Sequence, residues 1–412
     1  MQTHLADFIR DTPAGHEADA ILRACVHCGF CTATCPTYQL LGNELDGPRG
    51  RIYLIKELLE GAAVTAKTQL HLDRCLSCRS CETTCPSGVR YSRLLDIGRE
   101  VIAERVGRAG LEGFKRSLLK RLLLTRWLFA PAYRLGQWLR PVLPAVLRAK
   151  VLPYRAPGAR PSGNRRRRMI ALAGCVQPTM APNINAAAAR ILDALNISLI
   201  EAPQAGCCGA LALHLDDSVA ARAAARRNID AWWPLLEAGA ETVVMTASGC
   251  GVQVRDYAHL FQDDPDYARK AARVALLTRD VSEVVAAEKA GLLELLAKSK
   301  PAMNNPKLAF HSPCSLQHGQ KIRGAVEELL AAAGFALTAV ADSHLCCGSA
   351  GSYSVLQPEI ATRLRDNKIS ALSSGRPAAI ATANIGCLAH LQSGSDLPVR
   401  HWIELLDERL IR

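Results

Sequence analysis

From about residue 168 onward, short β-branched runs alternate with longer stretches of helical character. "RMIALAG", "ETVVMTAS", "KLAFHS" and "AAIATAN" predict strands, and the stretches Asn185–Leu195, Val219–Trp232, Gly324–Ala333 and Glu359–Leu372 predict helices. Strand–helix alternation of this kind argues for α/β units built on parallel sheets. Each predicted strand stops just before a cysteine, and ligands gather at the carboxyl ends of strands in such sheets. Nearer the N-terminus, "GPRGRIYLIKELLEG" predicts a helix. The apolar runs around Leu122–Leu124 and Trp127–Tyr133 are broken by Arg126 and Arg134, so none reaches the roughly 18 apolar residues of a spanning helix. The opening residues have no apolar h-region, and the expected location is the cytoplasm.

An internal repeat of about 139 residues underlies the α/β pattern. The first copy places a lone Cys175, the pair Cys207 and Cys208 before a glycine, and Cys250. The second places Cys314, Cys346 and Cys347, and Cys387 in the same order. The lone cysteine precedes the pair by 32 residues in both, and the last follows the pair by 42 and 40. The fold class expected is therefore mixed α+β and α/β. A mostly helical ferredoxin-like domain (1–106) leads through a basic connector (107–168) to two cysteine-rich units, 169–300 and 301–412.

Sixteen cysteines in a chain of 412 residues with no secretory signal argue for metal rather than disulfides. Eight belong to the repeat, and eight fall in "CVHCGFCTATCP" and "CLSCRSCETTCP". C-x2-C-x2-C-x3-C-P is the bacterial run for a [4Fe–4S] cube, and in two-cluster proteins the fourth cysteine ligates the other cube. This assigns Cys25, Cys28, Cys31 and Cys85 to one cluster and Cys35, Cys75, Cys78 and Cys81 to the other. Zinc, the competing reading of CxxC pairs, has no need of four cysteines plus proline written twice. In the α/β repeat an iron–sulfur cluster, zinc and plain core thiols stay open. His214, His311, His318, His344 and His390 are candidate hydrogen-bond donors to cluster sulfur.

The net charge of +12 is concentrated in one place. Between Gly107 and Arg168, 16 Lys and Arg stand against one acid, Glu112, so the rest of the chain carries a slight negative excess. "KRSLLKRLLLTRWLFAPAYRLGQWLRPVLPAVLRAK" sets Leu, Trp and Phe among the cations, as helices at a membrane surface do. Packing on a partner or on the chain itself is the other main reading. Nucleic-acid binding through "RRRR" is a third, and no nucleic-acid partner is expected.

The cysteine phrases, "GPRGRIYLIKE", "CPSGVRYSRLLDIGR", "RNIDAWWPLLEAGAE", "TASGCG", "DSHLCCGSAGSY" and "TANIGC" together resemble the iron–sulfur subunits of bacterial glycolate oxidase (glycolate dehydrogenase). The resemblance spans nearly the whole chain and is weakest over 107–168. It implies an electron-transfer subunit with no catalytic residues of its own. A flavin-bearing partner would oxidise glycolate, with D-lactate a second candidate substrate, a second FAD-binding-type subunit would complete a heterotrimer, and electrons would go to a quinone-type acceptor at the membrane. The sequence agrees independently: no Walker A is present, and "GCGVQV" breaks the dinucleotide-binding pattern. Iron–sulfur subunits of glycerol-3-phosphate and lactate dehydrogenases are related alternatives. The repeat also resembles heterodisulfide reductase, whose motif ends C-x-x-C. Here Gln253 and His390 stand at that last position, which argues against disulfide reduction and leaves His390 as a candidate fifth ligand beside Cys387.

Overall fold

A computed structural model describes residues 1–108, 110–161, 164–299 and 305–410. The chain divides into two compact units, residues 1–118 with 344–368 and residues 119–343 with 369–412. The boundary expected between residues 300 and 301 lies outside the described residues.

The first unit is helical. Pro13–Ala24, Pro48–Leu59, Ala66–Asp73 and Tyr91–Val106 surround a core that buries Leu22, Ile55, Leu58, Leu59, Leu72 and Leu94 completely. Each such leucine or isoleucine contributes roughly 1.5–3 kcal/mol relative to exposure. Two of these helices begin with proline at a position where no backbone donor is missed. Thr12 caps the first, its hydroxyl accepting from the Gly15 amide at 3.0 Å. Gly98 lets the helices at 48–59 and 91–106 close on each other, since a Cβ there would lie 2.7 Å from Cγ1 of Ile55.

Among the described residues the second unit holds eight strands: β1 (Arg167–Ala171), β2 (Ile197–Glu201), β3 (Val243–Met245), β4 (Thr278–Asp280), β5 (Lys307–His311), β6 (Ala336–Leu337), β7 (Ala379–Thr382) and β8 (Val399–His401). They form two parallel sheets of identical order, β2-β1-β3-β4 and β6-β5-β7-β8, so the sequence repeat is a repeat of topology. The four strands expected from sequence are the inner pairs. Those missed are the outer ones, which are short or carry a charged residue, as in "TRD" and "VRH". The residues after β3 meet those after β5 and β7. The Ser248 amide donates to the Ala383 carbonyl at 3.2 Å, the Ser248 and Ser315 hydroxyls lie 2.8 Å apart, and Gln320 Nε2 donates to the Ser248 carbonyl at 3.1 Å. The two copies therefore face each other across their strand ends.

The basic stretch forms helices at Gly110–Leu124, Arg126–Leu139 and Ala145–Lys150. Many of its cations are committed within the chain. Arg108 and Arg116 both pair with Asp73 in the first unit, at 2.7 and 3.0 Å. In the second, Lys120 pairs with Asp217, Arg155 with Glu404 and Arg160 with Glu201. Of "RRRR", Arg165 pairs with Asp193, Arg167 with Glu241 and Glu288, and Arg168 donates to the Ala238 carbonyl. Among the described residues no helix is long and apolar enough to cross a membrane.

Candidate metal centres

Two cavities in the first unit are lined by the cysteines of the two runs. Cys25, Cys28, Cys31 and Cys85 line one, and Cys35, Cys75, Cys78 and Cys81 line the other, with Cys81 touching the wall of both. The loops that bring the thiols round are built alike. His27 and Gly29 have φ of 55° and 85°, and Ser77 and Arg79, at the matching places, have 50° and 59°. A left-handed residue on each side of the middle cysteine curls the chain so that three sulfurs turn toward one point. The fourth thiol on each wall comes from the other run, delivered just before Pro36 or Pro86.

The donor chemistry fits an iron–sulfur core. Burial first, then the neighbouring thiolate of Cys25, pushes Cys31 up to about 11, and burial followed by Cys78 and Cys75 drives Cys81 well above the ordinary thiol range. Four thiolates crowded into such a space need a positive centre among them, which the iron of a cluster supplies. Elsewhere the walls are largely apolar, with Ile52 and Val89 at the first cavity and Leu76 and Leu95 at the second.

A charged network backs the second cavity. Arg51 lines it and is 1% exposed. Its Nε donates to the His71 carbonyl at 2.7 Å, and both its terminal nitrogens reach the Thr37 hydroxyl at 3.2 Å. Thr37 Oγ1 lies 3.3 Å from Cys35 Sγ and donates to the Asp46 carbonyl at 2.7 Å. The Asp46 carboxylate, also buried, holds Arg74 at 3.0 Å, His71 at 2.9 Å and Arg51 at 3.7 Å. Sequence reading passed over Arg51, Thr37 and Asp46. The signal available was "GPRGR", read as the start of a helix packed beside the clusters and as part of the family resemblance, with no role given to its arginines.

The first repeat copy gathers its four cysteines in the second unit. Cys207 shares hydrogen bonds with Cys175 and Cys208, and Cys208 with Cys250. These bonds draw Cys207 toward its thiolate, while bonding to Cys207, followed by burial at Cys175 and by bonding to Cys250 and burial at Cys208, favours the protonated form of both. The glycine of the motif has a definite task. Gly209, at φ 94°, turns its amide onto Cys207 Sγ at 3.4 Å, and a Cβ there would lie 2.9 Å from the Ala221 carbonyl oxygen. Asn228, from "RNIDAWW", donates to the Cys207 carbonyl at 2.8 Å, and the Tyr257 hydroxyl donates to that of Cys208 at 2.8 Å. Gln253 is buried one helical turn beyond Cys250.

The second copy's cysteines are divided between the units. Cys346 and Cys347 belong to the first, where Gly348, at φ 87°, repeats the amide-to-sulfur contact at 3.4 Å on Cys346. Cys314 and Cys387 belong to the second, where Asn384 Nδ2 lies 3.5 Å from Cys387 Sγ. His390 follows Cys387 by one turn of the helix Ile385–Gln392. Of the other histidines, His311 ends β5, buried, with Nδ1 3.0 Å from the Thr382 hydroxyl. His318 is buried just after β5, and His214 closes a short helix at Ala210–His214. His344 opens the 344–368 segment of the first unit.

Residues 21–89 match the 4Fe-4S dicluster domain, and residues 170–255 and 308–392 each match the cysteine-rich domain. The glycolate oxidase iron–sulfur subunit of Escherichia coli (strain K12) is 54% identical over 412 residues, covering 100% of this chain and 99% of that protein. A probable glycolate oxidase iron–sulfur subunit of Bacillus subtilis (strain 168) is 31% identical over 90% of this chain and 88% of its own length. Lactate utilization protein A of Bacillus velezensis is 28% identical over 57% of this chain and 97% of its own length.

Proposed function

The chain belongs to the family of glycolate oxidase iron–sulfur subunits, and on that premise we propose that it carries electrons away from a flavin-bearing partner that oxidises glycolate, D-lactate being the second candidate substrate. The observation that carries this reading is the pair of cavities, each lined by three thiols of one run and completed from the other, by Cys85 at the first, where Cys81 also touches the wall, and by Cys35 at the second. Cys25, Cys28, Cys31 and Cys85 would hold one [4Fe–4S] cluster, and Cys35, Cys75, Cys78 and Cys81 the second. Such clusters supply one-electron transfer without proton chemistry. The protein's part is to hold the thiolates, exclude water with aliphatic walls and set the local charge. Cys175, Cys207, Cys208 and Cys250 form a further candidate site for iron or zinc, supported by their mutual hydrogen bonds.

A heterotrimer with two FAD-binding-type subunits and a quinone-type acceptor completes the proposal. The helix Arg126–Leu139 supports contact with a membrane surface, because Trp127 and Trp138 are 73% and 77% exposed beside the exposed Arg126 and Arg134. The intrachain pairing of "RRRR" favours packing over nucleic acid as the role of that run.

The test is reconstitution. The purified chain alone should oxidise no glycolate with an artificial acceptor, and addition of the flavin partner should give turnover with reduction of the chain's visible absorption. Glycolate turnover by this chain alone would overturn the reading.

A further inference from the structure

The two cavities are alike in thiols and in loop geometry, but not in charge. Behind the second, Arg51 is buried, and its guanidinium keeps its charge at any working pH. Arg74 adds a second cation, and Asp46 is the acid that meets both. Arg79 stands on the same wall, so these permanent cations outnumber the one carboxylate and leave a positive excess beside Cys35 and Cys75. At the first cavity the wall cation is Arg49, which is 38% exposed and paired with Glu44 at 2.6 Å, so solvent and its partner screen it. Reduction of a cluster adds one negative charge, and a buried cation favours that state far more than a solvated one. Thr37 links the guanidinium to the Cys35 sulfur, which places the cation at the cluster's edge rather than elsewhere in the unit.

We propose that Arg51 raises the reduction potential of the cluster at Cys35, Cys75, Cys78 and Cys81 and leaves that of the other cluster where its thiols alone set it. The inference rests on the assignment of the two cavities above. It makes the second cavity, rather than the first, the place where an electron from the flavin partner comes to rest within the ferredoxin region.

The test is a potentiometric titration followed by electron paramagnetic resonance on the full chain. Cys28→Ser and Cys78→Ser assign each signal to its cavity. Arg51→Gln should lower the reduced-to-oxidised ratio of the second-cavity signal at fixed potential by at least about tenfold, which is about 59 mV for a one-electron couple. Arg51→Lys, which keeps the charge and loses the fork, should shift it much less. Asp46→Asn removes the counter-ion and should move the same signal upward, and this arm decides the matter if Arg51→Gln takes up no iron. The inference fails if the second-cavity signal is unmoved, if the first moves equally, or if Lys and Gln act alike. Absence of two cluster signals in the unaltered chain would instead sink the cofactor assignment on which it rests.

Discussion

His401 ends β8 fully buried, and burial lowers its pKa to about 4 from an ordinary 6.5. Above 6.5 the ring is neutral folded or unfolded. Between 6.5 and about 4 only the unfolded chain takes the proton, so His401 contributes stability at neutral pH that is lost as pH falls through this window. A shift of that size corresponds to roughly 3 kcal/mol. Asp280, at the end of β4, slopes the other way: burial raises it to about 6, so the folded chain holds its proton where the unfolded one does not. Its contribution is present below about 4 and fades as pH rises toward 6. The two partly offset each other in the unaltered protein. His401→Gln should therefore expose the Asp280 slope, and its melting temperature should rise as pH falls from 6.5 to 4.5 relative to the unaltered chain. Parallel melting curves across that range would show that the ring is not buried neutral. Neither residue stood out in the sequence, because one buried histidine or aspartate reads like any other until its surroundings are known.

At the scale of loops and strands, much was legible. The regular cysteine spacing pointed to two cradles, and the four inner strands ended where their cysteines began. What spacing could not convey was the backbone: Arg79 holds at φ 59° the place that Gly29 holds at 85° in the other run. An arginine gives no hint of a left-handed turn, so the likeness of the two loops became visible only in three dimensions. Of the outer strands, β4, β6 and β8 are only two or three residues long and β2 ends on the charged Glu201, so their own pattern did not announce them. Ligand exchange between the runs belongs at this scale. Cys35→Ser should remove the resonance signal of the cluster held by Cys75, Cys78 and Cys81, whereas Cys31→Ser should remove the other. Loss of the same signal in both variants would mean that each run builds its own cluster.

Across the whole chain, duplication is the organising device. One cysteine run written twice makes two thiol-lined cavities, and one α/β unit written twice makes two sheets of the same strand order. Part of the connector's positive charge, conspicuous in the sequence, is spent on ion pairs with the chain's own carboxylates, which charge counting alone could not reveal. The thiols of the two runs are proposed to hold iron–sulfur cubes. The most direct measurement is the iron, zinc and acid-labile sulfide content of the full chain after anaerobic reconstitution. At least about eight irons and eight sulfides per chain, the content of two cubes, are expected, with any further iron at Cys175, Cys207, Cys208 and Cys250 or in the second repeat copy. Zinc in place of iron, with no labile sulfide, would contradict it.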